Sequence, residues 1–156
     1  MHKGEAVCLG ADIDTDLVIA GRYLRTKDRS IWAAHAFEDL DPELARRLSG
    51  SVIVAGRNFG CGSSREQAPV ALKEAGVVAV ISPLFARIFF RNAINVGLPV
   101  LEAEILSCHD GDLIEINLDN GQIIADGVVY SFTPLSPRMR DILHAGGLVP
   151  YWRGRA

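Results

Sequence analysis

Residues 51–82 read SVIVAGRNFGCGSSREQAPVALKEAGVVAVIS, and this stretch decides the fold. It opens on a short β-branched apolar run, which is typical of a buried strand, and continues through a polar glycine-rich loop. The elements predicted from here onward alternate between strand and helix: 51–56, 67–75, 76–82, 83–95 and 98–101. This alternation indicates a βαβ unit with parallel pairing.

The flanking sequence changes character on both sides of this unit. Downstream, apolar and polar residues alternate, and Asp119-Asn120-Gly121 is a turn signal between two strands. The downstream elements predicted are strands at 113–118, 122–125 and 127–133, then a helix at 137–145. Upstream, residues 31–48 have the composition of helices, with starts at Asp28, Ser30 and Asp41-Pro42. We therefore expect one α/β domain over 1–156, with a mixed sheet, flanking helices and a C-terminal antiparallel β addition.

Composition and charge exclude some classes of function. The 156 residues are 49% hydrophobic, which is enough for a core, and the net charge of −3 argues against a nucleic-acid binder. The start of the chain lacks the apolar core of a signal peptide, and no run reaches the ~18 apolar residues of a membrane span. We expect a cytoplasmic protein with no nucleic-acid or membrane partner.

The cysteines are three in number, Cys8, Cys61 and Cys108, and they lie far apart along the chain. Because no CxxC pair is present, neither a structural zinc site nor a disulfide framework is expected. Ligands of an iron–sulfur cluster usually have short spacings, so these gaps also argue against a cluster held by this chain. The sequence predicts no metal ligand.

The loop 56–66 carries the most chemistry. Its glycines allow close approach of a ligand, and the N-terminus of the following helix together with Arg65 offers a site for an anion. An alternative is that Ser63 or Ser64 caps this helix, with Glu66 or Gln67 completing a capping box. A phosphate-binding loop is a further alternative, although the pattern is neither the Walker sequence nor the dinucleotide fingerprint. Spacing alone supports an anion site at a helix N-terminus.

Residues 58–66, Asn-Phe-Gly-Cys-Gly-Ser-Ser-Arg-Glu, resemble the signature of the aconitase swivelling domain. They are most similar to the small subunits of 3-isopropylmalate dehydratase and homoaconitase. The flanking stretches 12–24, 85–99 and 145–148 resemble the family's opening, second signature and usual ending. The resemblance implies an aconitase-like swivelling β/β/α fold over nearly the whole chain.

The resemblance also implies roles for residues. Ser63 corresponds to the catalytic base, which removes a proton from the carbon beside a carboxylate. Ser64 and Arg65 correspond to residues that bind a substrate carboxylate. Gly60, Cys61 and Gly62 form the supporting loop, in which Cys61 has a packing role. The [4Fe-4S] cluster is expected on a separate large subunit, where an iron acts as Lewis acid, so this chain needs no cofactor and is active only with its partner.

The loop 21–28 resembles the loop that, in this family, contacts the variable side group of the substrate. Isopropylmalate carries an apolar group there, whereas homoaconitate carries a further carboxylate, which suits Arg25. The other interpretation of Arg25 is a solvated arginine beside Asp28. We favour the small subunit of 3-isopropylmalate dehydratase, of leucine biosynthesis, with homoaconitase as the alternative. In either case the reaction isomerises a hydroxy di- or tricarboxylic acid by dehydration and rehydration.

Two hypotheses from other classes are kept. One is a stand-alone anion- or nucleotide-binding module built on the same loop. The other is RNA binding, against which the acidic charge balance speaks. The isolated chain is also expected to be able to form a homo-oligomer.

Overall fold

The computed structural model describes residues 1–105 and 107–154. Its seven strands are β1 (His2–Cys8), β2 (Ser51–Val54), β3 (Ala79–Ser82), β4 (Val100–Glu102), β5 (Leu113–Asn117), β6 (Gln122–Ala125) and β7 (Val128–Ser131). Its α-helices are α1 (Thr15–Val18), α2 (Arg29–Ala34), α3 (Gln67–Glu74), α4 (Arg87–Val96), α5 (Pro137–Ala145) and α6 (Leu148–Arg153). Two 3₁₀ turns, Gly21–Tyr23 and Leu44–Arg47, complete the described elements.

All seven strands belong to one sheet in the order β4-β3-β2-β1-β5-β6-β7. Strands β1 to β4 pair in parallel, while β5, β6 and β7 add to β1 as an antiparallel meander. The predicted α/β class, the mixed sheet and the C-terminal antiparallel addition are confirmed. The C-terminal ends of β1, β2 and β3 therefore lie side by side at one edge, and the loops that leave them meet there.

The interior strands β2 and β3 explain why residues 51–54 and 79–82 are so apolar. Every residue of β2 and of β3 is buried, whereas β5 alternates between buried and partly exposed positions. Strands covered on both faces have no polar side to present, so they lack the period-2 pattern of a half-exposed strand. Helix α3 presents Ala68, Ala71 and Leu72 to this core.

Two helix predictions need correction. The helix predicted over 83–95 begins only at Arg87, since the preceding residues pair with the glycine loop. The Asn58 N–H donates to the Leu84 carbonyl at 2.7 Å, and the Ala86 N–H donates to the Phe59 carbonyl at 3.0 Å. These backbone groups are thereby drawn into extended pairing, with Ala86 at φ −62° and ψ 137°.

The predicted helical region 31–48 contains only α2 and the 3₁₀ turn Leu44–Arg47. The predicted start at Asp28 is confirmed, because its carboxylate accepts the Ser30 N–H at 3.0 Å and caps α2. Within residues 1–105 and 107–154, no helix combines the length and the apolar character required to cross a membrane.

Candidate active site

The glycine loop pairs with the acidic loop that leaves β1. Asp14 and Cys61 form a parallel bridge. The Thr15 N–H donates to the Cys61 carbonyl at 2.8 Å, and the Gly60 N–H donates to the Ile13 carbonyl at 2.8 Å. This pairing places the side chains that follow Asp14 against those that follow Cys61.

Glycine is required at two positions of this loop. Gly60 and Gly62 have φ of +83° and +89°, in the left-handed region that penalises other residues. A Cβ at Gly60 would collide with the Phe89 ring, and a Cβ at Gly62 would collide with the Asp14 carboxylate. At these two positions only a residue without a Cβ leaves room for the neighbouring side chains.

An aromatic cluster holds the base of the loop. The Phe59 ring is fully buried and meets Phe89 edge to face, with centroids 5.2 Å apart, and Phe85 at 6.0 Å. Such pairs contribute about 0.5–1.5 kcal/mol beyond area burial. The exposed tip of the loop is thus carried on a rigid support.

Ser63 lies exposed at this tip and faces the acidic loop. Its Oγ is 3.3 Å from Thr15 Oγ1 and donates to Asp16 Oδ1 at 3.5 Å. The Thr15 hydroxyl in turn donates to the Ser63 carbonyl at 2.9 Å. The predicted base therefore has a threonine and an aspartate as its immediate neighbours.

Arg65 is held in a fixed orientation beside Ser63. Its guanidinium donates to the Ile19 carbonyl at 3.0 Å and pairs with Asp16 Oδ1 at 2.9 Å. The Arg65 side chain is 22% exposed, and the Asp16 side chain is 59% exposed. The same Asp16 oxygen thus contacts both Ser63 and Arg65, where the sequence predicted binding of an external carboxylate.

The capping alternative for the serines is wrong. The residue at the N-cap of α3 is Glu66, and no side chain caps this helix. Ser63 instead bonds to Thr15 and Asp16, and Ser64 is exposed without a partner among the described residues. Neither hydroxyl therefore stabilises helix α3.

The loop that carries Arg25 starts next to Arg65. A Cβ added at Gly21 would lie 3.5 Å from Arg65 Nη2. The loop is tied to α2, since Trp32 Nε1 donates to the Tyr23 carbonyl at 3.1 Å. Arg25 itself is exposed and forms no ion pair within the described part of the chain. The predicted proximity to Asp28 produces no pair, because Asp28 caps α2.

A charge network behind this loop was missed by sequence reasoning. Glu38 accepts the Tyr23 hydroxyl at 2.6 Å, pairs with Arg22 at 2.8 Å and contacts His35. The His35 ring stacks on Tyr23 with centroids 4.3 Å apart. The hydrogen bonds from Tyr23, Arg22 and His35 lower the pKa of Glu38 to about 2, so its carboxylate stays charged and keeps the loop in place.

The cysteines divide into a pair and a single residue. Cys8 and Cys108, far apart in sequence, have their sulfurs 3.7 Å apart, and all three cysteines are free thiols. Cys61 is half-buried in the glycine loop, and burial together with Asp14 and Asp12 raises the pKa of its thiol. Among the described residues, no group of three or more His, Cys, Asp or Glu side chains could hold a metal ion.

Asp16 and Thr15 are the site residues that sequence reasoning missed. Residues 12–24 entered the sequence analysis only as a stretch that resembles the family's opening, and their contact with Ser63 and Arg65 was not predicted. These residues are 46 or more positions apart, so only the neighbouring strand ends bring them together.

The four parallel strands of the mixed sheet and the paired loops at their C-terminal ends define the class of this protein. The chain belongs to the aconitase C-terminal domain family, whose model matches residues 9–104. The resemblance inferred from the sequence is confirmed.

Relatives within the family are similar over nearly the whole chain. The 3-isopropylmalate dehydratase small subunit of Aliarcobacter butzleri is 50% identical over 152 residues, covering 95% of this chain and 92% of the relative. The methanogen homoaconitase small subunit of Methanothermobacter thermautotrophicus is 52% identical over 153 residues, which cover 96% of this chain and 89% of the relative. A crystal structure of 3-isopropylmalate dehydratase from Methanocaldococcus jannaschii matches with a TM-score of 0.92 at 47% identity. The match covers 98% of this chain and 93% of the chain in the crystal structure.

Proposed function

We propose that residues 1–156 form one swivelling domain, the small subunit of a hydro-lyase of the 3-isopropylmalate dehydratase type. It isomerises a hydroxy di- or tricarboxylic acid by loss and return of water, together with a large subunit. The observation that carries the proposal is that Ser63 and Arg65 share one Asp16 oxygen, at 3.5 and 2.9 Å. A base and a carboxylate clamp therefore converge on one point. The cytoplasm as location and homo-oligomerisation of the isolated chain stay predictions.

We infer that Asp16 competes weakly with the substrate for this pair in the free chain. It accepts the Ser63 hydroxyl and pairs with Arg65, so a substrate carboxylate takes its place. A substrate carboxylate that displaces Asp16 from Arg65 frees Ser63 at the same moment. Arg65 retains its bond to the Ile19 carbonyl during the exchange and stays aimed at the site.

The released Ser63 removes a proton from the carbon beside the bound carboxylate. Its alkoxide needs stabilisation, because a hydroxyl is a very weak acid. The guanidinium of Arg65 is the source in this chain, and the loop Gly60, Cys61 and Gly62 holds Ser63 beside it. Ser64, exposed and without a partner among the described residues, adds a hydroxyl for the substrate carboxylate.

The iron–sulfur cluster of the proposed reaction belongs to the large subunit. The described cysteines do not suit cluster binding, because Cys8 and Cys108 contact each other while Cys61 lies in the glycine loop. When bound by the partner, the cluster supplies a Lewis acid for the substrate hydroxyl. The exposed position of Ser63 and Ser64 suits a site that is completed by a second subunit.

A homoaconitase small subunit is the second candidate, and Arg25 favours it. The side chain is exposed, has no ion pair among the described residues and extends from the loop that starts beside Arg65. An unpaired guanidinium there suits a substrate with an additional carboxylate. A stand-alone anion-binding module is the alternative from another class, since it needs only Arg65 and the glycine loop.

Anaerobic reconstitution with the cognate large subunit tests the base assignment. We expect Ser63→Ala to lower kcat by at least about a hundredfold, the range lost with a general base, while assembly and Tm stay unchanged. Ser131→Ala, at an exposed serine of β7, is the matched control and should keep full activity. Turnover that survives Ser63→Ala would exclude Ser63 as the base.

The substrate assignment is tested by comparing isopropylmalate with homocitrate-derived acids on the reconstituted pair. We expect Arg25→Val to raise KM for the acid with the extra carboxylate at least about tenfold, as expected for loss of a charge-assisted bond, and to leave KM for isopropylmalate unchanged. Arg25→Lys, which keeps the charge, should retain part of the preference. An unchanged preference in Arg25→Val would show that this loop does not face the substrate. Tight binding of inorganic phosphate by the isolated chain would instead support the anion-binding module.

A further inference from the structure

Two thiols outside the candidate active site lie within contact distance. Cys8 ends β1, and Cys108 lies in the loop between β4 and β5, 100 residues further along the chain. The Cys8 Sγ is 3.7 Å from the Cys108 Sγ, and both residues are half-buried. The proposed reaction uses neither of them.

The loop of Cys108 is held against β1 by contacts that do not involve sulfur. Asp110 Oδ1 accepts the Cys8 N–H at 2.7 Å, and Asp110 also pairs with Arg47 at 3.3 Å. The Gly111 N–H donates to the Ala6 carbonyl at 2.9 Å, while the Ala6 N–H donates to the Asp112 carbonyl at 2.8 Å. These bonds keep the two thiols together whatever their redox state.

We propose that Cys8 and Cys108 are a modification site, at which a low-molecular-weight disulfide such as oxidised glutathione converts them into a reversible disulfide. A disulfide has its sulfurs about 2.05 Å apart, so closure requires an approach of roughly 1.7 Å. In the proposed closure the two side chains rotate to bring the sulfurs into bonding distance.

The exchange is balanced in two steps. One protein thiolate attacks a sulfur of the oxidant, forms a mixed disulfide and releases one glutathione thiolate, which takes up a proton. The second protein thiolate then attacks the protein sulfur of the mixed disulfide, forms the Cys8–Cys108 bond and releases the second glutathione. The protein loses two hydrogens, and the oxidant is reduced to two thiols.

The surroundings make this a slow modification. Burial, the Cys108 thiol and the charges of Asp110 and Asp112 raise the pKa of Cys8 to about 12, so little thiolate is present at neutral pH. Exchange therefore takes long incubation. The bond would clip the loop to the end of β1, the strand that leads into the acidic loop of the candidate active site.

The test incubates the full chain with excess oxidised glutathione and follows intact mass, free thiols, disulfide-linked peptides and Tm. We expect a mass lower by two hydrogens, one remaining thiol at Cys61, and a Tm raised on the order of 10 °C by closure of so long a loop. Reduction should restore the starting Tm. Cys61→Ser is the matched control and should oxidise like the unmodified chain.

Cys8→Ser and Cys108→Ser should each abolish the mass change and the rise in Tm. Asp110→Asn should lower the disulfide fraction at a fixed ratio of oxidised to reduced glutathione, because it weakens the contacts that hold the thiols together. A linked peptide that contains Cys61, or a chain that carries only glutathione adducts after full reaction, would overturn the proposal.

Discussion

Substitution of Gly62 by alanine probes the contact that joins the two loops of the candidate site. Gly62 has φ +89°, and a Cβ built there lies 2.6 Å from the Asp14 Cγ. The substitution therefore has two separate costs. One is the strain of a left-handed alanine, and the other is the collision with Asp14.

The chain contains a glycine that separates these two costs. Gly111 has the same φ of +89° and is also exposed, but a Cβ built there has no heavy atom within 4 Å. Gly111→Ala therefore carries only the left-handed strain of about 1–2 kcal/mol. Gly62→Ala adds the overpacking cost, about 1–3 kcal/mol more.

Thermal unfolding measures the difference between the two variants. In a chain of this size each kcal/mol corresponds to about 2–4 °C in Tm, so Gly111→Ala should lower Tm by about 2–8 °C. Gly62→Ala should lower it by roughly 2–12 °C more. In an Asp14→Ala background, which removes the colliding carboxylate, the excess cost of Gly62→Ala should vanish.

A Gly62→Ala variant that is no less stable than Gly111→Ala would contradict the predicted collision. An excess cost that persisted in the Asp14→Ala background would equally contradict it. Either result would mean that Asp14 does not lie against Gly62.

Two further predictions concern Asp16 and Glu38. Asp16→Asn removes the carboxylate that competes for Arg65. The KM of the reconstituted enzyme should therefore fall by about two- to fivefold, which corresponds to the free energy of an exposed ion pair. A raised KM would contradict this role. Glu38→Gln should lower Tm at neutral pH, because the folded pKa of about 2 lies below the ordinary value of 4.5. The stability that comes from a lowered carboxyl pKa is fully present above pH 4.5 and is lost as the pH falls towards 2, so the Tm difference between the two chains should shrink over that window. A Tm difference that stays constant would contradict the network.

Local pattern was sufficient for the strands and helices from β2 to α5, whereas β1, at the centre of the sheet, and α6 received no predicted bounds. The buried runs of β2 and β3, the glycine loop between β2 and α3, and the alternation in β5 and β6 can all be read from neighbouring residues. The reason is that burial and turn geometry impose periodicity and glycine directly on local sequence. The motif 58–66 likewise pointed to Ser63, Ser64 and Arg65 before any fold was known.

Contacts between segments that are distant in the chain could not be predicted from local sequence. The start of α4 at Arg87 depends on pairing with Phe59, and the occupation of Arg65 depends on Asp16 from another strand end. The approach of Cys8 and Cys108 depends on the placement of the β4–β5 loop against β1. Each arises because the mixed sheet pairs strands that are distant in sequence and so brings their flanking loops together. The local sequence of one segment does not specify its distant partner, so these contacts are properties of the folded chain alone.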